Sequence, residues 1–505
     1  MKAKAPEERG RLDRPTPPFQ RGRRWRSPSL LVVLGLGLLA CVGIDGLIHA
    51  RVEGWWFSAL GYGNVFWTRF ICQVILFTTV GGLSWAWLWR NLNLALRRLP
   101  KRETPQPSPQ LPEKWWVRSP VPPSPVEERP PLPFRTTVAI AILAIVSLEL
   151  LSFHYGSLAW ESFQGAFSTA SGIGNGAALG GTSLDSIPAR FDPQVMGARL
   201  GQIFGGDRWQ GILVMAGIAG LGLLLRPVEA LTALTLAQSL SFAWLLGRQW
   251  QVFLLASQPT AFNSVDPLFE LDIGVYIFSL PLWDLLDFWL IGLSISGLLS
   301  VTLVYLIGGR TLERGRFLGL TIPQQRHGCR LLGSVMVAIA LSFCLSCFEL
   351  VYSPRGVTYG ASFTDIWFRF PANASLGVLG FVIGAGLLGY GITGQRLSVL
   401  IARVPRTSRR PVDNLPRPSY VVTDERLPMR TVLLGLGLYI SLSAIASLAI
   451  PQLANAVVVK PNELERERSF IARNIEYTQR GFGLEEIEIR RFEPTAIADA
   501  DVLTR

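Results

Sequence analysis

The residues of this chain best able to do chemistry are acids and histidines set beside long apolar runs. Asp45, His49 and Glu53 surround the end of the first run, and Glu149 and His154 lie towards the end of the third. Charge inside a bilayer is costly, so such groups are where function is sought. A proton or cation relay between the two helices is one reading; local hydrogen bonding and interfacial solvation is the other. Asp284 and Asp287 stand three apart on one helical face. They could hold a cation or a basic substrate group, but an acidic first turn also suits the positive end of the helix dipole, and capping is the preferred account. Asp266, Glu270 and Asp272 lie just upstream, without the glycine and terminal glutamate of a calcium loop.

Other constellations are incomplete. Cys344 and Cys347 have the spacing of a redox or metal pair, but they sit in a helical apolar run and lack further ligands. Ordinary packing is expected there, with a disulfide as the alternative. His49 and His154 are too few for a multi-haem framework, and His327 falls in a basic loop, where exposure is expected. Walker, HExxH and G-x-S-x-G patterns are absent. The sequence thus assigns no catalytic, cofactor-binding or metal-ligating residue and implies no cofactor.

The elements that carry these groups are membrane helices. Hydrophobic residues make up 49% of the 505 residues, charged ones only 17%, and mean hydropathy is +0.33. Apolar runs long enough for a bilayer about 30 Å thick occur at 30–48, 66–89, 136–154, 209–225, 229–247, 282–307, 331–348, 374–393 and 431–450. The expected fold is therefore all-α and polytopic, with nine crossings. If 209–225 and 229–247 form a re-entrant hairpin joined at Arg226-Pro227, seven remain. The small residues Gly35, Gly37 and Gly43, and Ala216, Gly217, Ala219, Gly220 and Gly222, mark helix-packing surfaces.

Charge sets the orientation. The net charge of +12 is concentrated in the arm 1–29 and the loops 90–134, 309–330 and 394–430, whereas 49–65, 155–208, 248–281 and 349–373 hold few basic residues. Positive-inside bias puts the first group, and the amino terminus, in the cytoplasm. It also explains the basic excess without nucleic acid. The arm 1–29 is too polar to bury a core and reads as disordered. Aromatic residues at Trp55-Trp56-Phe57, Tyr62 and Phe66-Trp67 suit a membrane boundary, with a short interfacial helix possible there. Pro451 is expected to end the last run, leaving 451–505 outside as part of an incomplete domain. Within it, residues from Lys460 onward read as an amphipathic helix with Phe470, Ile471, Ile475 and Tyr477 seeking a partner, and Ile487 and Ile489 alternate like a strand, giving a short α/β tail.

Several strings are distinctive. VDPLFELDIGVYIFSLP at 265–281, WWFSALGYGNVFWTRF at 55–70, ELVYSPRGVTYGASFTDI at 349–366, the exit 449–460 and KPNELERERSFIARNIEYTQRGFGL at 460–484 follow one another in order. Together they resemble uncharacterised protein family 0182, a group of bacterial multi-pass membrane proteins. The resemblance implies a seven-helix pattern followed by a large extracytoplasmic domain, most of which this chain lacks; 155–240 diverges and adds the helix pair. It implies no activity and no site residues. The expected role is an inner-membrane anchor or assembly module, in contact with lipids and with an extracytoplasmic protein partner or the missing carboxyl-terminal domain. Residues 266–272 and 360–365 are the expected docking loops. A transporter or channel component is the alternative, and an intramembrane enzyme the third reading.

Overall fold

The computed structural model describes residues 30–99, 132–171, 225–307, 316–317, 319–393, 429–484 and 487, together with 201, 217 and 219–223. The arm 1–29, the middle of each basic loop and Ile489 lie outside them. The chain divides into two units, Met1–Ile71 and Cys72–Arg505.

In the first unit, α1 (Leu30–Ala59) runs past the expected end at 48 and turns directly into α2 (Gly63–Arg97), whose residues from Cys72 onward belong to the second unit. The turn is tight because Gly61 takes φ +80°, a conformation that costs glycine nothing. The aromatic cluster therefore lies on two helix ends instead of a separate interfacial helix. Phe66 packs between Phe57 and Phe70, while Trp55, Trp56, Tyr62 and Trp67 remain more than half exposed.

In the second unit, α3 (Phe134–Ser171), α4 (Pro227–Arg248) and the short α5 (Trp250–Ser257) precede the central α6 (Leu280–Ile307). Then come α7 (Ile322–Phe348) and α8 (Phe370–Thr393). Helix α6 is the hub: two-thirds of its apolar window is buried. It packs on α3 and α4 through Leu148, Leu151, Tyr155, Phe242, Leu285 and Phe288. Gly292 makes this possible, since a Cβ there would collide with the Tyr155 ring. Helices α7 and α8 approach closely where Gly333 faces Gly384; a Cβ at Gly384 would stand 3.0 Å from the Gly333 carbonyl. The two-residue strands β1 (Leu132–Pro133) and β2 (Arg316–Phe317) pair antiparallel, so the ends of two basic loops meet.

The last described helix is long, Thr431–Gly481, and includes α9 (Met429–Ala444), α10 (Ile450–Ala454) and α11 (Glu463–Gly481), with π turns and one tight 3-10 turn, Lys460–Asn462, between them. Pro451 does not end it. A π turn at Ile445–Ala449, closed by the Ile450 N–H on the Ile445 carbonyl, precedes that proline. The same device recurs three times: Val275–Ser279 before Pro281, Asp365–Arg369 before Pro371, and Asn455–Val459 before Pro461. Proline lacks an N–H and its ring presses on the preceding turn. Widening that turn by one residue absorbs both defects without breaking the helix.

Seven helices among the described residues are long and apolar enough to cross a membrane. They match seven of the nine expected runs: 66–89, 136–154, 229–247, 282–307, 331–348, 374–393 and 431–450. Of the other two, 30–48 is helical within α1, and 209–225 lies mostly outside the described residues. Arg226 breaks the helical course as expected, with Pro227 in the first turn of α4.

Candidate functional site

The acidic loop before α6 is built around one carboxylate. Asp266 is 3% exposed, and its two oxygens accept four hydrogen bonds. Oδ1 takes the N–H groups of Leu268 (2.8 Å) and Phe269 (2.9 Å); Oδ2 takes the Leu271 N–H (3.1 Å) and the Tyr276 hydroxyl (2.8 Å). Burial works against its charge, but these donors outweigh burial and hold the carboxyl below the usual range. Asp272 similarly caps the strand-like crossing, accepting from Phe262, Asn263 and Gly274, and its acidity is raised by those bonds. Glu270 stands in the left-handed region at φ +56°, where a side chain is strained. The acids expected to recruit an outside group thus organise their own loop.

A second loop, 353–364, lies between α7 and α8. Gly360, at φ +117°, returns its N–H to the Ser353 carbonyl at 3.0 Å. Asp365 follows, 1% exposed, accepting from the Ser362 N–H and hydroxyl and pairing with Arg369 at 3.4 Å.

Helix α11 is clamped onto both loops. Glu467 accepts from the Phe363 N–H at 3.1 and 3.2 Å, Asn474 donates to the Tyr359 carbonyl at 2.7 Å, and Tyr477 donates to the Val265 carbonyl at 2.7 Å. The Arg466 guanidinium lies over the Phe363 ring at 5.4 Å. Beneath this junction is a cavity of about 180 Å³, lined by Arg355, Asp365, Arg369, Asn455, Glu463 and Glu467 among others. Its charges are mixed. Ser362 is engaged by Asp365, and neither histidine nor cysteine lines the cavity. The arrangement can pair ions and hold water or a small polar group.

The tail is helical as expected, but its inward face is mixed: Glu467 is buried on it beside part of the expected apolar set, while Leu464 and Ile475 are exposed by 77% and 53%. Phe470, Ile471 and Tyr477 are half-buried. Residues 467, 474 and 477 share one helical face, a spacing visible in the sequence but overlooked when only apolar residues are followed.

The other groups fall elsewhere. Asp284 and Asp287 are not in a first turn, because the helix begins before Val275; Asp287 is fully buried within electrostatic reach of Tyr155. Capping is therefore excluded. Helix α3 runs on to Ser171, so Glu149 and His154 lie mid-helix, and 155–171 is not loop. The Glu149 carboxyl lies 3.1 Å from where a Gly220 Cβ would be, as expected of a small-residue packing surface. His154 is buried against the Tyr155 ring. His49 is exposed and belongs to the other unit; the Asp45 side chain lies outside the described residues. Glu53 pairs with Arg69 at 3.5 Å. Cys344 and Cys347 are unbridged thiols in α7. His327 overturns its expected exposure: it is 1% exposed, bonded to Tyr305 at 2.8 Å and to Asn91 at 3.0 Å. Its place one turn inside α7 faces the core of the bundle, which loop charge could not reveal.

With this arrangement in view, comparison with known proteins places the chain. The family model of the uncharacterised protein family UPF0182 matches residues 30–505. The chain belongs to this family. A UPF0182 protein of Nostoc sp. is 32% identical over 504 residues, covering 95% of this chain and 45% of the relative. Those of Trichodesmium erythraeum and Thermosynechococcus vestitus are 31% and 28% identical, covering 61% and 94% of this chain and 30% and 44% of those relatives. This UPF0182 chain thus spans less than half the length of these relatives. No solved structure matches it.

Proposed function

We propose that this UPF0182 chain is an inner-membrane anchor or assembly module that seats an extracytoplasmic protein domain or partner. Its amino terminus is cytoplasmic, and α11 and the loops 258–274 and 353–364 are extracytoplasmic. The observation that carries the reading is the clamp: a helix continuous with the last apolar span is held on two loops by three polar contacts. The clamp leaves Leu464, Phe482 and Ile487 exposed by 77%, 78% and 60%. Held apolar residues of this kind suit a protein contact, and the greater length of the relatives is in keeping with such a domain. Affinity purification of the tagged native protein in gentle detergent, with mass spectrometry, tests this. A stoichiometric extracytoplasmic polypeptide that is lost on Leu464→Glu with Phe482→Glu is the expected result. Recovery of the chain alone, folded and monodisperse, would count against it.

A transporter component is the second reading, favoured by the fully buried Asp287 in the hub helix. Solute flux in proteoliposomes that disappears in Asp287→Asn would support it.

A further inference from the structure

Midway along the bundle, α2, α6, α7 and α8 line a cavity of about 590 Å³. Its size falls within the roughly 300–1,000 Å³ of ligand sites. Trp87, Leu290, Leu293, Leu341 and Leu388 give it an apolar lining, and the one charged residue on that lining is Arg90. Trp87 is held against Gly297, where a Cβ would collide with the indole.

Beside Arg90, positive charge accumulates. Arg330 lies within electrostatic reach of both Arg90 and Arg98. Each partner is held in place. The Arg98 guanidinium donates to the Pro323 carbonyl at 2.8 Å, and its own carbonyl accepts from Gln324 at 3.1 Å. The Arg330 stem fills the space that a Cβ at Gly391 would occupy, and its Nε is buried without a hydrogen-bond acceptor among the described residues. The buried His327, bridging Tyr305 and Asn91, ties α7 to α6 and α2 beneath the cluster.

We propose that this cavity binds a phospholipid, with an acyl chain inside it and the headgroup phosphate on Arg90 and Arg330. Guanidinium groups match phosphate oxygens two at a time, and basic pockets between membrane helices are suited to anionic headgroups. Arg90 ends the apolar stretch of α2, the depth at which a headgroup lies when its chain enters the bundle. The proposal uses the membrane setting but is independent of the anchor role, since the cavity shares no residue with the clamp.

The test uses the full chain, delipidated in neutral detergent, with melting followed by tryptophan fluorescence as each ligand is titrated. The ligands are dioleoyl-phosphatidylglycerol, dioleoylglycerol and inorganic phosphate. A bound ligand raises the melting temperature with concentration, and the expected result is a rise with phosphatidylglycerol alone. Arg90 is exposed, so Arg90→Gln should fold normally and bind about fivefold more weakly. Leu341→Trp, which fills the cavity, should also weaken binding while the ligand-free melting stays near wild type. Equal shifts with dioleoylglycerol would overturn the phosphate contact. A matching shift with inorganic phosphate would overturn the lipid assignment in favour of a soluble phosphate ligand. Unchanged binding in Arg90→Gln and Leu341→Trp would overturn the site altogether.

Discussion

Two carboxylates hold the junction, and each supports a prediction about a single side chain. Asp266 has its proton affinity lowered in the folded chain. Its stabilisation is therefore complete above the unfolded value of about 3.9 and is lost as pH falls through the lower, folded value. Protection of the Leu268, Phe269 and Leu271 amides, taken relative to the intrinsic exchange rate at each pH, should hold from neutral pH down and be lost only in that acid range. Asp266→Asn should speed exchange at neutral pH, at a cost of about 1–3 kcal/mol, because one oxygen acceptor becomes a donor facing donors. Glu467 accepts twice from one backbone N–H. Glu467→Ala should loosen the clamp by about 1.5–3 kcal/mol, the range for a hydrogen bond to a charged group. The yield of an engineered disulfide between Asn474→Cys and Tyr359→Cys would report it, and Glu467→Gln should keep part of the yield. The acids of 266–272 were legible as a cluster, but not their use. Only the fold decides whether a carboxylate looks outward or accepts from its own loop.

At the scale of the element, the prolines explain why the last helix reaches the tail. Each of the four π turns ends two residues before a proline. The extra residue in such a turn also rotates everything beyond it by roughly 100°. Deleting Val457 from Asn455–Val459 should therefore restore α register, turn Glu467, Asn474 and Tyr477 away from their loops, and abolish the Asn474–Tyr359 cross-link. Helix content by circular dichroism should hardly change. Equal cross-linking in the deletion variant would show that the wide turn does not set the clamp. The long apolar runs were readable because hydropathy depends on composition. Their ends were not: α3 and the helix into α6 extend past the expected limits because packing and bonds such as Tyr155 to the Phe288 carbonyl override local signals.

At the scale of the whole molecule, the prediction concerns sidedness. In a background free of native cysteines, Glu476→Cys should react with a membrane-impermeant maleimide in intact cells, and Arg97→Cys only after the membrane is opened. The reverse pattern would invert the proposed topology. The meeting of β1 with β2, and of Arg98 with the start of α7, already groups two basic loops at one end of the bundle.

The sequence alone determined that this chain is built of long apolar helices and that it resembles UPF0182, because both follow from residue order and composition. Tertiary structure alone decided that His327 is buried, that Asp287 lies inside the hub helix, and that Glu467, Asn474 and Tyr477 clamp α11 to two loops. Those outcomes depend on which helix faces which. Groups far apart in sequence, such as Glu467 and Phe363 or His327 and Asn91, meet only when the bundle packs.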